Sequence, residues 1–160
     1  MRISIHAVGR MKRGPEQELA ERYLKRFEVT ARAVGLAYGG LTEIRESRAG
    51  TSGERQREES TLLRRWQEEG RFLVLLDEGG TDLTSRQLAD RIGAWRDRGI
   101  GEVALAIGGP DGHDRACLAA ANVTLSLGRL TFPHQIARIL LAEQLYRSAT
   151  LLAGHPYHRD

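Results

Sequence analysis

The sequence predicts an α/β fold, a parallel-type sheet with flanking helices in one domain over residues 1–160. Strand-like and helix-like segments alternate along the chain, which favours parallel pairing. Three segments rich in apolar residues, Phe72–Leu76, Val103–Ile107 and Val123–Leu127, predict strands, and the continuous run Phe72–Leu76 is typical of a strand buried on both faces. Ligands bind at the carboxyl ends of strands in such sheets, so the loops after these three segments are the candidate pocket.

Composition limits the class of protein. Hydrophobic residues make up 41% and charged residues 28% of the 160 residues, as in a globular protein. No apolar run approaches the ~20 residues of a membrane span, and no signal-peptide pattern is seen. The single cysteine, Cys117, excludes an internal disulfide framework and favours a cytoplasmic location. The net charge of +3 permits a polyanionic partner without requiring one.

The first half of the chain contains two predicted strands and two predicted helices. Arg2–Val8 alternates apolar and polar residues and predicts a strand. A helix is expected from about Pro15 to Phe27, and a second strand over Val34–Tyr38. Gly39–Gly53 is polar and weakly patterned, which predicts a loop. Glu54–Glu69 predicts a charged helix whose buried side carries Leu62, Leu63 and Trp66. Gly70 is expected to end it.

The next segment is expected to turn and then form a helix. Asp77–Gly80 predicts a turn directly after the first apolar run. Thr84 and Gln87 have the spacing of a capping box, which predicts a helix start. Leu88, Ile92 and Trp95 recur at helical spacing, and Gly99 closes that helix.

The last segment predicts two further helices. Asp111 or His113 is expected to cap a short helix ending near Ala121. Pro133 is suited to the first turn of a long C-terminal helix. Five apolar residues are expected to face inward from that helix: Ile136, Ile139, Leu140, Leu145 and Tyr146.

The glycine-rich segment Gly108–Gly112 has two interpretations. It is either a strand-to-helix turn that needs positive φ, or a place where missing side chains let a ligand reach backbone groups. It lacks the spacing of a dinucleotide fingerprint, and no Gly-Lys-Ser/Thr follows to form a P-loop. Both interpretations remain open on the sequence.

Metal and nucleophile chemistry have little support. His113 and Cys117 lie four residues apart, and His155 and His158 three apart, but no second ligand pair at zinc-finger spacing is present. We therefore expect no metal. A Gly-x-Ser-x-Gly elbow is also absent, so serine hydrolase chemistry is not predicted.

The tail His155–Asp160 is unusual for a chain terminus. Terminal segments are ordinarily polar and frayed, whereas this one carries a proline, a tyrosine, two histidines and an arginine. It either caps the preceding helix at its negative end or delivers side chains to a site.

Several motifs together carry a family resemblance. They are Ile5–Gly9, Ile107–Gly112, Leu125–Leu127, Leu130–His134, Arg138, Glu143–Arg147 and His155–Arg159. The set resembles the ribosomal large-subunit methyltransferase H family, which are SPOUT-type methyltransferases. The resemblance spans the whole chain, is dense after Phe72 and is loose between Gly39 and Gly70.

The resemblance implies a fold and an activity. It implies a C-terminal trefoil knot, a homodimer, and partners that are the assembled ribosome and its 23S rRNA rather than DNA or a membrane. S-adenosyl-L-methionine would be the methyl donor, and N3 of a pseudouridine the acceptor, without a metal. Relatives differ at Asp111 and His113, where little consequence is expected.

The resemblance also implies site residues. The tail residues Tyr157, His158 and Arg159 would be catalytic. The donor pocket would consist of Leu76, Gly108, Gly109, Leu127, Gly128, Arg129, Leu130, Thr131 and Phe132. Two alternatives remain: a methyltransferase of the same fold acting on tRNA, and a non-catalytic RNA-binding or assembly protein with a vestigial pocket.

Overall fold

The computed structural model describes residues 1–154, in which strands and helices alternate. The strands are β1 Arg2–Val8, β2 Ala37–Ile44, β3 Phe72–Asp82, β4 Glu102–Ile107 and β5 Val123–Ser126. The helices are α1 Pro15–Arg32, α2 Ser52–Glu59, α3 Thr61–Glu68, α4 Ser85–Asp97, α5 Arg115–Ala120 and α6 His134–Leu152. The residues predicted to be catalytic, Tyr157, His158 and Arg159, lie outside the described range.

The five strands form one parallel sheet in the order β2-β1-β4-β3-β5. The predicted α/β class is therefore confirmed. Ile107 lies opposite Ala7 on one side and Leu76 on the other, so β1 and β4 end at the level at which β3 becomes irregular after Leu76. Leu76 in turn lies opposite Leu125 of β5. We call this end of the sheet the carboxyl edge; the three predicted pocket loops all leave from it.

Helices cover both faces of the sheet, which explains the continuous apolar runs. Val74 of β3 packs in a core with Phe27 of α1 and Leu145 of α6. Its neighbours Leu73 and Leu75 point the other way, into a second core that contains residues of α3 and α5. Each such buried side chain contributes about 1.5–3 kcal/mol relative to exposure.

The N-terminal boundaries differ from the predicted ones. Helix α1 continues to Arg32, and the second strand is Ala37–Ile44 rather than Val34–Tyr38. The strand therefore takes up much of the predicted loop Gly39–Gly53. β2 is an edge strand that pairs only with β1, and most of its residues are exposed or half-buried. Its sequence consequently lacks the apolar pattern by which the buried strands are recognised.

The predicted helix Glu54–Glu69 is two helices that meet at Ser60. Thr51 and Glu54 form a capping box that starts α2 earlier than expected. The prediction that Leu63 and Trp66 face inward is confirmed, since both are buried in α3. α2 is almost entirely polar, so hydrophobic spacing could not show the break.

The predicted turn Asp77–Gly80 is an irregularity within a longer strand. Leu76 and Thr81 both lie opposite Leu125, so the four residues between them bulge out of the ladder. A Cβ added to Gly80 would lie 2.4 Å from the Leu125 carbonyl carbon, which permits only glycine there.

The expected cap of α5 is also corrected. Asp114 is the N-cap residue, whereas Asp111 and His113 are engaged elsewhere in the structure.

Helix α6 lies between α1 and α4, and its buried face differs from the predicted one. Of the five residues expected to face inward, Leu145 is fully buried, Ile139, Leu140 and Tyr146 are half-buried, and Ile136 is 38% exposed. The buried face contains small and polar side chains beside leucines: Arg138, Leu141, Ala142, Leu145, Ser148, Ala149 and Thr150. No helix within residues 1–154 is long and apolar enough to cross a membrane. The trefoil knot stays a prediction.

Candidate active site

An open cleft of about 1100 Å³ lies at the carboxyl edge, between the irregular segment of β3 that follows Leu76 and the loops that follow β4 and β5. One wall is the loop from Ile107 to Arg115, and another is the loop from Ser126 to Pro133. Helix α2 closes a third side with Gly53, Gln56 and Arg57. The loops picked out by their position after apolar runs therefore meet in one place.

Eight of the nine residues predicted for the donor pocket line this cleft: Leu76, Gly108, Gly109, Leu127, Gly128, Leu130, Thr131 and Phe132. The exception is Arg129. Its side chain is 94% exposed, and its Nε lies 3.7 Å from Asp82 Oδ2, outside the cleft lining.

The glycine loop Gly108–Gly112 forms the turn that was one of its two predicted interpretations; access of a ligand to its backbone stays a prediction. Gly112 has φ +77°, and its N–H donates to the Gly109 carbonyl at 2.9 Å, which closes a tight turn. Gly109 instead needs space, because an added Cβ would lie 2.7 Å from Glu59 Oε2. An added Cβ on Gly108 would lie 3.1 Å from the Gly112 carbonyl carbon. A side chain at Gly108 or Gly109 would therefore collide with the loop itself or with α2.

Asp111 holds the glycine loop against α2. Arg55 donates from Nε to Asp111 Oδ2 at 2.6 Å and from a terminal nitrogen to Oδ1 at 3.0 Å, a bidentate pair. Gln56 Nε2 donates to the Asp111 carbonyl at 2.6 Å. Arg55 lowers the pKa of Asp111, and its own pKa is raised by the same hydrogen bond. Asp111 thus joins two segments of the cleft wall in this chain, although little consequence of its identity was expected.

Glu59 connects the same loop to the segment that follows β2. Its Oε1 accepts from the Ser47 N–H at 2.9 Å, and its Oε2 faces Gly109 without a partner among the described residues. Burial raises the pKa of Glu59, since the charged form is poorly solvated there. Glu59 is 5% exposed, and its carboxyl group fills the space that a side chain at position 109 would need.

His113 joins the glycine loop to the end of β3. The ring is buried, and its Nε2 lies 3.1 Å from the Leu76 carbonyl oxygen. Burial lowers the pKa of His113, so the neutral ring is favoured at neutral pH. The Leu76 backbone is thereby oriented at the cleft wall, which gives His113 a role that the sequence had discounted.

The loop after β5 is ordered by its own serine. Ser126 Oγ donates to the Gly128 carbonyl at 2.9 Å and accepts from the Gly128 N–H at 3.1 Å. After this turn, Leu130, Phe132 and His134 all line the cleft, and Leu130 is 74% exposed.

Charged residues of both signs that the sequence had not assigned to the site also line the cleft. Asp77 and Glu78, predicted as part of a turn, lie on one side, and Arg57 and Arg115 belong to α2 and α5. The capping box Thr51-x-x-Glu54 was the available signal for α2, but nothing in it indicated that α2 reaches the cleft. The cleft can therefore accept a ligand that carries both positive and negative charge.

Comparison with known families defines the class of protein. The sequence model of a protein family described as "Predicted SPOUT methyltransferase" matches residues 1–158 of the chain. The match covers every loop of the cleft, and the chain is a member of the SPOUT methyltransferases.

Curated relatives narrow the class further. The ribosomal RNA large subunit methyltransferase H of Mesorhizobium japonicum is 55% identical over 159 residues, 99% of each chain. The protein of the same name from Brucella anthropi is 55% identical over 160 residues, the full length of both chains. The chain therefore belongs to the ribosomal RNA large subunit methyltransferase H family.

A solved structure supports the fold alone. A probable methylase family protein from Haemophilus influenzae Rd KW20 aligns with a TM-score of 0.51 at 13% identity. The alignment covers 99% of this chain and 70% of that one.

Proposed function

We propose that this protein transfers a methyl group from S-adenosyl-L-methionine to N3 of a pseudouridine in the 23S rRNA of the assembled ribosome, in the cytoplasm. The observation that carries the proposal is full-length identity of about half or more to proteins named ribosomal RNA large subunit methyltransferase H. The cleft adds a chemical argument, because its loops offer backbone groups to a planar ring and both signs of charge to an amino acid.

The residues of the cleft fit the methyl donor. Its methionine portion carries a carboxylate, an ammonium group and a sulfonium, and the cleft wall contains Arg57 and Arg115 together with Asp77 and Glu78. The backbone of the Gly108 loop and the Leu127–Phe132 segment would hold the adenosine portion. Bound there, the donor supplies an electrophilic methyl group that needs no metal for activation.

The acceptor nitrogen must lose one proton during the reaction. The N3 imide is protonated at neutral pH and must lose its proton before it can attack. A cation beside the uracil carbonyls stabilises the resulting anion, and a histidine or an ordered water takes the proton. We assign these tasks to the tail residues Tyr157, His158 and Arg159 as a set. Alignment of N3 with the methyl carbon supplies much of the remaining rate.

The experiment for this proposal is mass spectrometry of rRNA and tRNA from a strain that lacks the gene. Loss of one methyl group from a 23S rRNA pseudouridine, restored by the gene on a plasmid, is the expected result. A methyl group lost from tRNA instead would identify a tRNA methyltransferase. Unchanged methylation of both, together with no S-adenosyl-L-methionine binding by calorimetry, would leave an RNA-binding protein with a vestigial pocket.

The catalytic role of the tail is tested by truncation after Gly154, which removes only residues outside the described fold. We expect methylation of unmodified ribosomes in a single turnover to be lost while S-adenosyl-L-methionine still binds. Arg159→Ala should lower the rate of methylation about 10²-fold. Arg159→Lys should recover only part of that rate, because lysine lacks the planar guanidinium group that donates two parallel hydrogen bonds. Wild-type rates from the truncated chain would show that the tail is only a helix end.

A further inference from the structure

The carboxyl edge carries exposed cations beyond the cleft. Arg10, Lys12 and Arg13 follow β1, and Arg45 and Arg48 follow β2; we call these five side chains the basic rim. All five are exposed, and in residues 1–154 none of them takes part in an ion pair. The charge of Arg10 helps to lower the pKa of Glu43, but no ion pair among the described residues has to break when the rim takes up an external anion.

A buried arginine holds the backbone beneath the basic rim. Arg138 of α6 is 4% exposed and donates to the Val8 carbonyl at 3.0 Å and to the Gly9 carbonyl. It also donates to Glu43 Oε1 at 2.7 Å, and the same oxygen accepts from the Met11 N–H at 2.8 Å. A buried arginine is costly unless it is well paired, and here its bonds tie the β1 loop to the end of β2. The exposed cations thus project from an ordered base.

The basic rim borders the cleft without lining it. A Cβ added to Gly9 would lie 3.5 Å from His134 Nε2, and His134 lines the cleft. The rim residues themselves are absent from the cleft lining, whereas the exposed cations Arg57 and Arg115 belong to it. Exposed cations therefore lie both in the cleft lining and on the adjoining loops, with the carboxylate of Glu46 beside Gly9.

We propose that the basic rim binds backbone phosphates of the rRNA strand that flanks the acceptor nucleotide. This inference rests on the proposed function, because an rRNA base that enters the cleft is attached to a strand whose phosphates must cross the mouth of the cleft. Phosphate contacts from Arg and Lys position a nucleic acid without reading its sequence, and exposed, unpaired cations on fixed loops suit that task. A small donor molecule in the cleft does not account for cations that lie outside it.

The test is a variant with three changes, Arg10→Gln, Lys12→Gln and Arg13→Gln. Kinetics on unmodified ribosomes should show a KM for ribosomes at least about 10-fold higher, and a salt dependence of log(kcat/KM) shallower by about 2 to 3, since three phosphate contacts are lost. The Kd for S-adenosyl-L-methionine should stay at the wild-type value. A control variant, Lys25→Gln with Arg32→Gln and Arg98→Gln, removes the same charge from exposed helix positions away from the carboxyl edge and should behave as wild type.

Three outcomes overturn the inference. Ribosome kinetics equal to those of the control variant would show that the basic rim does not contact RNA. A weakened Kd for S-adenosyl-L-methionine would place the rim in the donor site instead. Failure of the wild-type protein to methylate ribosomes would overturn the proposed function itself, a result distinct from the other two. If the triple variant does not fold, the pair Arg45→Gln and Arg48→Gln on the neighbouring loop is measured against the same expectations.

Discussion

At the scale of single residues, Gly108 is the sharpest test of the donor site. Its side-chain space is occupied by the backbone of Gly112, so Gly108→Val must displace the glycine loop. We expect the Kd for S-adenosyl-L-methionine, measured by calorimetry, to rise about 10-fold or more, equivalent to about 1.4 kcal/mol. Gly101→Ala is the control, because no atom lies near its added Cβ and its φ is not positive. A folded Gly108→Val protein with wild-type affinity would remove this loop from the donor site.

The Arg55–Asp111 pair makes a second residue-scale prediction. Each of Arg55→Lys and Asp111→Asn breaks the bidentate pair and leaves the Gln56 bond to the Asp111 carbonyl as the remaining hydrogen bond between α2 and Asp111. Either change alone should raise the KM for S-adenosyl-L-methionine about 10-fold with a smaller effect on kcat, and the double variant should be little worse than either single one. Arg2→Lys, which alters an exposed ion pair with Glu102 at the amino end of the sheet, should leave the KM unchanged. Additive losses in the double variant would contradict a shared role.

At the scale of elements, His6 links β1 to α3. Its ring packs edge-on against Trp66 with centroids 3.5 Å apart, and its Nδ1 has no partner among the described residues. Burial, with a smaller contribution from the positive charge of Arg71, lowers the pKa of His6 to about 4. The unfolded chain, with a pKa near 6.5, therefore takes up the proton first as the pH falls. The stability contributed by the neutral ring is complete above about pH 6.5 and is lost between there and pH 4.

Denaturant unfolding between pH 7 and pH 4 measures this dependence. The wild-type free energy of unfolding should fall by on the order of 2–3 kcal/mol from His6 alone. His6→Leu should show a shallower decline over the same interval, whatever its stability at pH 7. Glu43 and Glu102 also have lowered pKa values, but their contribution is common to both proteins. Parallel pH curves for the two proteins would show that His6 titrates normally in the folded state.

At the scale of the whole molecule, we propose a homodimer that uses the start of α6. The family resemblance implies the dimer, and part of the apolar surface of α6 is already used within the chain, since Leu145 is buried and Tyr146 packs near Tyr23. Leu130, which lines the cleft, and Ile136 remain exposed at 74% and 38%. Sedimentation at micromolar concentration should give about twice the 17.8 kDa chain mass.

A matched pair of variants locates that interface. Ile136→Glu should shift the sedimenting species toward the monomer, because a charge would be buried at the contact. Val29→Glu, at an exposed apolar position on α1, should leave the mass unchanged. A wild-type monomer would count against the interface, and equal effects of the two variants would place the contact elsewhere.

The sequence alone determined the strands and helix starts whose signals lie within a few neighbouring residues. The run Phe72–Leu76 predicted a strand covered on both faces, Val103–Ile107 predicted a strand, and Thr84 with Gln87 predicted a capping box that the structure contains. The family motifs extended this to the class of protein, which the comparisons confirmed. Burial pattern and capping act over a few residues, so a linear pattern records them.

Contacts between distant segments were decided only by the tertiary structure. Gln56 and Arg57 belong to the cleft wall because α2 packs beside Asp111, 55 residues after Gln56. The bulge at Asp77–Gly80 depends on Leu125 of β5, and the edge strand β2 has no buried face that a pattern could reveal. These features follow from the strand order, which places β4 between β1 and β3 and so brings the glycine loop beside α2. Strand order is set by packing of the whole chain, and periodicity within one segment carries no information about it.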